Sequence, residues 1–208
     1  MTRFRTLAAA SVVLPLLALS ACSGADDPTG SPDSGVFAVD VDVDSPQLRA
    51  AKKQAGIEPC EPGSGAAVTD GLPEVTLPCL GGGPDVDLSS LRGPLVVNLW
   101  AQWCGPCREE LPHYQRLHER AGDELTVLGI DYQDTQPAAA LELAERAGVT
   151  YPLLADPGAA VRTPFRVRGL PGVALVDDGG RVVHLEYTVI RSYDQLRELV
   201  GRYLDVTL

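Results

Sequence analysis

The sequence predicts an α/β domain in which one mixed β-sheet carries helices on both faces. Three observations lead there. The apolar run Leu95–Trp100 reads as a strand buried on both sides. Beyond Gly105 and Pro106 the apolar spacing turns helical as far as Gly122, and the strand-then-helix order repeats over residues 124–147. Nearer the C-terminus, Asp177-Asp178-Gly179-Gly180 is a hairpin turn between two extended segments, which makes the last strand antiparallel.

The N-terminus reads as an export signal. Residues 1–5 are basic, residues 7–19 apolar, and Leu19-Ser20-Ala21-Cys22 follows. The apolar run is too short to remain as a membrane-spanning helix. Residues 23–35 are polar and rich in Gly and Pro, the composition of a tether. Residues 36–43 alternate apolar residues with Asp, which fits an edge strand or a solvated coil. Ser45 as N-cap and Pro46 at the first helical position open a short helix to about Ala55, ended by Gly56. Residues 61–70 are rich in Gly, Ala and Ser and mark a boundary. The chain therefore divides into a signal (1–21), a tether and N-terminal extension (22–66) and a folded domain (67–208).

Within the domain, residues 73–77 form a first strand. Gly81-Gly82-Gly83-Pro84 is a loop; no helix follows it directly and no Gly-Lys-Ser/Thr is present, so it is not a phosphate cradle. Residues 85–88 give a short strand and 89–93 a turn. After the central strand comes the helix to Gly122, with Pro112 inside it removing one backbone hydrogen bond. Residues 124–131 are the second parallel strand. Gln136-Pro137 starts a helix to Ala147, and Gly148 ends it. An extended segment at 149–155 and a brief turn at 157–161 lead to a strand at 173–176. Residues 181–187 form the final strand. Ser192 caps a last helix through about Tyr203, with Leu196, Leu199, Val200 and Leu204 on one face.

Charge narrows the function classes. Of 208 residues, 45% are hydrophobic, enough for a core, and the net charge is −11. Such a chain is repelled by nucleic acid and by anionic lipid headgroups. Its basic residues are nearly all Arg; Lys52 and Lys53 are the only lysines.

The five cysteines carry the chemistry. Cys104 and Cys107 sit where a strand ends and a helix begins, and the unsatisfied N–H groups and positive dipole end of that helix favour a thiolate. Cys107, one turn on, is in reach to close a disulfide, the requirement for reversible thiol–disulfide exchange. A zinc site is disfavoured: no second Cys-x-x-Cys follows, and His113 and His118, five apart, are a poor ligand pair. Cys60 and Cys79 remain. Outside the cell, two cysteines this close in sequence form a disulfide, either a structural staple or a second redox pair passing electrons to Cys104 and Cys107.

The string from Val97 through Trp100-Ala101-Gln102-Trp103-Cys104-Gly105-Pro106-Cys107 to Pro112 resembles the thioredoxin superfamily, in particular its TlpA/ResA-like extracytoplasmic branch, over residues 67–208. The resemblance implies a thioredoxin-like fold with an N-terminal hairpin and the extra helix inserted between core strands. It implies that Cys104 exchanges with a partner and Cys107 resolves the mixed disulfide, with no cofactor beyond this pair and no resident metal. Trp100, Trp103 and Pro171 would form the apolar surface around the sulfur. Pro171 would be cis, and the Leu170 backbone would pair with an extended substrate chain. Asn98 stands where thioredoxin has a buried Asp and cannot titrate, which leaves Glu110 as the acid that tunes the cysteines. Leu19-Ser20-Ala21-Cys22 resembles a bacterial lipobox, with Cys22 acylated. The implied protein is a lipid-anchored, extracytoplasmic oxidoreductase. Its partners would be exported protein thiols and disulfides such as those of apocytochrome c, and a CcdA/DsbD-type membrane electron donor. The other readings are a disulfide oxidase or isomerase for exported proteins, and a lipoprotein binding module with a static Cys104–Cys107 bond. The Pro-x-x-x-Thr-x-x-Cys signature of peroxiredoxins is absent upstream of Cys104.

Overall fold

The computed structural model describes residues 40–208. The signal, Cys22, the tether and the first part of the 36–43 segment lie outside the described residues; residues 40–45 form no strand. Helix α1 (Pro46–Ala55) begins where the Ser45 hydroxyl accepts from the Leu48 N–H at 3.3 Å and ends at Gly56, in the left-handed conformation with φ 71°. Strands β1 (Thr76–Leu77) and β2 (Val86–Asp87) form a two-stranded antiparallel pair.

The main sheet comprises β3 (Leu95–Trp100), β4 (Thr126–Tyr132), β5 (Leu153–Asp156), β6 (Gly172–Val176) and β7 (Val182–Glu186), in the order β5-β4-β3-β6-β7. β3, β4 and β5 are parallel, whereas β6 and β7 run antiparallel. Helices α2 (Gly105–Ala121), α3 (Pro137–Arg146) and α4 (Tyr193–Tyr203) complete it. Every residue of β3 is buried, as its apolar run requires.

The faces differ from the sequence expectation. Val96 and Trp100 of β3 and Val127 of β4 join the buried side chains of all four helices in one core cluster. Leu95, Val97 and Leu99 point the other way, into a cluster closed by the β1–β2 pair and by Val161 and Phe165 of a non-helical segment. Topology supplies the reason. The β3–α2–β4 and β4–α3–β5 crossovers step in the same direction across the sheet, and two right-handed crossovers in one direction put both helices on one face.

Further chain segments pair alongside β5 and at the start of β7. Cys79 bridges Leu154 alongside β5, with Leu80 N–H donating to Leu153 O at 2.8 Å and Ala155 N–H to Pro78 O at 2.9 Å. Gly71 bridges Arg181 next to β7.

Candidate active site

The site lies at the carboxyl end of β3. Cys104 is the N-cap residue of α2; its Sγ accepts from the Cys107 N–H at 3.3 Å. The two cysteines are joined in a disulfide with Cα atoms 5.3 Å apart. Cys104 is 5% exposed and Cys107 0%. Both cysteines are buried, and Cys104 keeps the little exposure the pair has.

The loop before Cys104 is fixed by its neighbours. Asp134 accepts two backbone N–H groups, from Gln102 at 2.9 Å and from Gln136 at 2.8 Å. The Trp103 indole N–H donates to Gln133 O at 3.1 Å, and the Arg108 guanidinium donates to Gln102 O at 2.9 Å. Trp103 is 50% exposed, whereas Trp100 is fully buried. Trp100 is thus part of the core and not of the surface around the sulfur, because it lies on the strand face that α2 covers.

Leu99 is paired with Gly172 in the β3–β6 ladder, so the segment preceding β6 arrives at the same end of the sheet as the cysteine loop. There the Leu170–Pro171 bond is cis. Leu170 is half-buried and packs on the cluster that contains Cys104 and Cys107; Pro171 itself is buried. A cleft of about 620 Å³ runs beside this turn, lined by Phe165, Arg168, Leu170, Pro171, Leu185 and Tyr187. The Tyr187 hydroxyl donates to Phe165 O at 2.6 Å, closing its floor.

Behind the disulfide is a buried polar group. Glu110, one turn after Cys107 on α2, is 1% exposed; one carboxyl oxygen accepts from the Ile190 N–H and the other has no partner. Burial raises its pKa to about 8, the Ile190 contact offsetting only part of the cost. Glu110 is therefore largely a neutral acid at pH 7. Asn98 donates to the Tyr151 hydroxyl at 3.4 Å, and the Tyr114 hydroxyl is buried without a partner. Burial, reinforced by Glu110, pushes both tyrosines further from ionising.

Sequence reasoning missed a second acid. Asp131 on β4 is buried beside Asp134; burial, then the Asp134 charge, raises its pKa well above the usual carboxylate range. The signal available was an Asp at the end of a strongly apolar strand.

His113 and His118 are both half-buried on α2, and His118 Nε2 lies 3.1 Å from a Glu58 carboxylate oxygen. Among the described residues no three His, Cys, Asp or Glu side chains gather as metal ligands. Cys60 and Cys79 form the second disulfide, both fully inside the protein.

Comparison with known proteins follows the same lines. The AhpC/TSA family model matches residues 68–185. The chain is 37% identical over 113 residues to a thiol:disulfide interchange protein DsbE homolog of Paracoccus denitrificans, covering 53% of this chain and 59% of that protein. It is 31% identical over 140 residues to the thiol:disulfide interchange protein DsbE of Allochromatium vinosum, covering 63% and 74%. Among solved structures it resembles MTB dsbF, seen in mixed oxidized and reduced forms, with a TM-score of 0.56 at 30% identity over 62% of this chain and 95% of that one.

Proposed function

The chain belongs to the AhpC/TSA family of thioredoxin-like proteins, and from that membership and the geometry above we propose that it is an extracytoplasmic thiol–disulfide oxidoreductase working as a disulfide reductase. One observation carries the reading: a Cys-x-x-Cys disulfide caps the N-terminus of α2, its first cysteine the more exposed of the two. The names of the Paracoccus and Allochromatium relatives support the activity class.

In the reduced protein the Cys104 thiolate, favoured by the N–H groups of α2, attacks a partner disulfide. A mixed disulfide forms and one partner sulfur leaves as thiolate. Cys107 then loses its proton and attacks Cys104 Sγ; the Cys104–Cys107 bond closes and the second partner sulfur leaves. Two electrons pass to the partner, which takes up two protons. Glu110, in the same helix turn, is suited to accept the Cys107 proton in its ionised form, which gains population as pH rises towards its pKa of about 8, near that of a thiol. Trp103 and Leu170 supply the surface that receives the partner, and the Leu170 backbone beside Pro171 offers strand-like pairing.

The resemblance to TlpA/ResA-like proteins extends the reading to acylation at Cys22, anchoring to the outer membrane face, exported substrates such as apocytochrome c, and electrons from a CcdA/DsbD-type donor. A peroxidase is disfavoured, since Ala101 occupies the position three before Cys104 where peroxiredoxins carry Thr.

The reduction potential of Cys104–Cys107 tests the direction. A value near about −270 mV supports the reductase, and one near about −120 mV makes the protein an oxidant of exported thiols. A pair that resists reduction and exchanges with no thiol leaves only a static disulfide.

A further inference from the structure

The second disulfide has surroundings that a purely structural staple does not need. Lys52, in the last turn of α1, is buried at 7% exposure, and its Nζ lies 2.8 Å from Cys79 Sγ and 2.9 Å from Gly82 O. Among the described residues no carboxylate forms a salt bridge with it; the nearby Asp44 is held by Arg49, at 2.6 and 2.9 Å. The other sulfur, Cys60 Sγ, lies 3.3 Å from the Leu153 carbonyl oxygen.

The triple-glycine loop closes this enclosure. A Cβ at Gly81, φ 75°, would come within 2.8 Å of Lys52 Cβ, and one at Gly83, φ 131°, within 3.3 Å of Cys79 Sγ. The loop is thus shaped around a lysine and a sulfur.

A disulfide sulfur is neutral and accepts hydrogen bonds weakly, so it compensates a buried ammonium poorly. A thiolate compensates it well, by charge and by hydrogen bonding. The two sulfurs face opposite chemistry: an ammonium favours Cys79 as thiolate, and a carbonyl favours Cys60 as a thiol that donates. The dithiol form finds a partner for each sulfur.

We propose that Cys60–Cys79 is a second redox centre, opened by a dithiol to give a Cys79 thiolate paired with the Lys52 ammonium and a Cys60 thiol donating to Leu153 O. The step balances. The donor dithiol gives up two electrons and two protons and closes to its own disulfide, while the Cys60–Cys79 bond breaks. One proton goes to Cys60 Sγ and the other to water, and Cys79 keeps the negative charge. Burial lowers the Lys52 pKa in the disulfide form, a cost the thiolate relieves. The proposal is independent of what Cys104–Cys107 does.

The test uses the full chain with Cys104→Ser and Cys107→Ser, equilibrated against graded ratios of reduced to oxidised dithiothreitol and read by alkylation with peptide mass mapping. Lys52→Met is expected to demand at least a tenfold higher ratio to open the bond than the parent, while Lys53→Met, at an exposed neighbouring position, changes nothing. An equal ratio for Lys52→Met and the parent overturns the proposal. A second measurement does not depend on the variant folding: the pH dependence of Cys79 alkylation in the reduced parent. A midpoint below the usual thiol value of about 8.5 supports the pairing, and one at or above it sinks it.

Discussion

Cys104–Cys107 and Cys60–Cys79 are the same bond in opposite settings. The first spans three positions at a helix start, with Cys104 at its N-cap. The second spans 19 positions and joins the segment after α1 to the strand-like segment beside β5, with both sulfurs buried. A bond closing a short loop removes little freedom from the unfolded chain, so the first contributes little stability and can open cheaply. The longer loop contributes more. What a disulfide does is therefore set by the loop it closes and by the groups around each sulfur.

The contrast can be broken most severely at the nucleophile. Cys104→Ser is expected to lower disulfide exchange with a model protein substrate by at least about a thousandfold, the scale for removing an attacking group. Cys60→Ala/Cys79→Ala should leave that rate within a few-fold. In Cys107→Ser the mixed disulfide with the substrate should persist and be visible on a non-reducing gel. For stability the ranking reverses. Removing Cys60–Cys79 should cost about 3 kcal/mol in denaturant unfolding, from the loop it closes, whereas opening Cys104–Cys107 should cost less.

Glu110→Gln sharpens the comparison through pH. The wild-type rate should show an inflection near pH 8, absent from the variant, and the variant should be slower by about a hundredfold if the carboxylate is the base for Cys107. Stability gives the same group a second signature. The native pKa is raised, so the native state holds a proton that the unfolded chain releases. The stabilisation is complete in the acidic range and is lost as pH rises through about 8. Glu110→Gln should flatten that fall, and no substitution at Cys60 should. The smallest effect is expected at Trp103→Ala: a few-fold rise in KM with kcat held, because the exposed ring contributes contact surface and one hydrogen bond to Gln133 O. An equal loss in kcat would place the indole in the chemistry instead.

Much of this architecture was legible in the chain. The Leu95–Trp100 run, the break at Gly105-Pro106 and the Asp-Asp-Gly-Gly turn are local signals, and local signals fix strands, helix starts and hairpins. The closeness of the cysteine loop to Pro171 came from resemblance; spacing alone does not place residues 67 positions apart. The helices' shared face was not legible, because it depends on strand order, which no single segment encodes. The Lys52–Cys79 contact was hidden for a related reason. A lysine near a helix C-terminus reads as a solvated charge, and only the fold buries it against a sulfur 27 positions away. Asp131 looked like a strand-end residue until β5 paired outside it.

Asp134 has a wider consequence. One carboxylate holds the Gln102 N–H of the cysteine loop and the Gln136 N–H that opens α3. The loop is thereby referenced to the first residue of the inserted segment and not to its length. A single side chain thus ties the start of α3 to the loop that presents Cys104 to the N-terminus of α2.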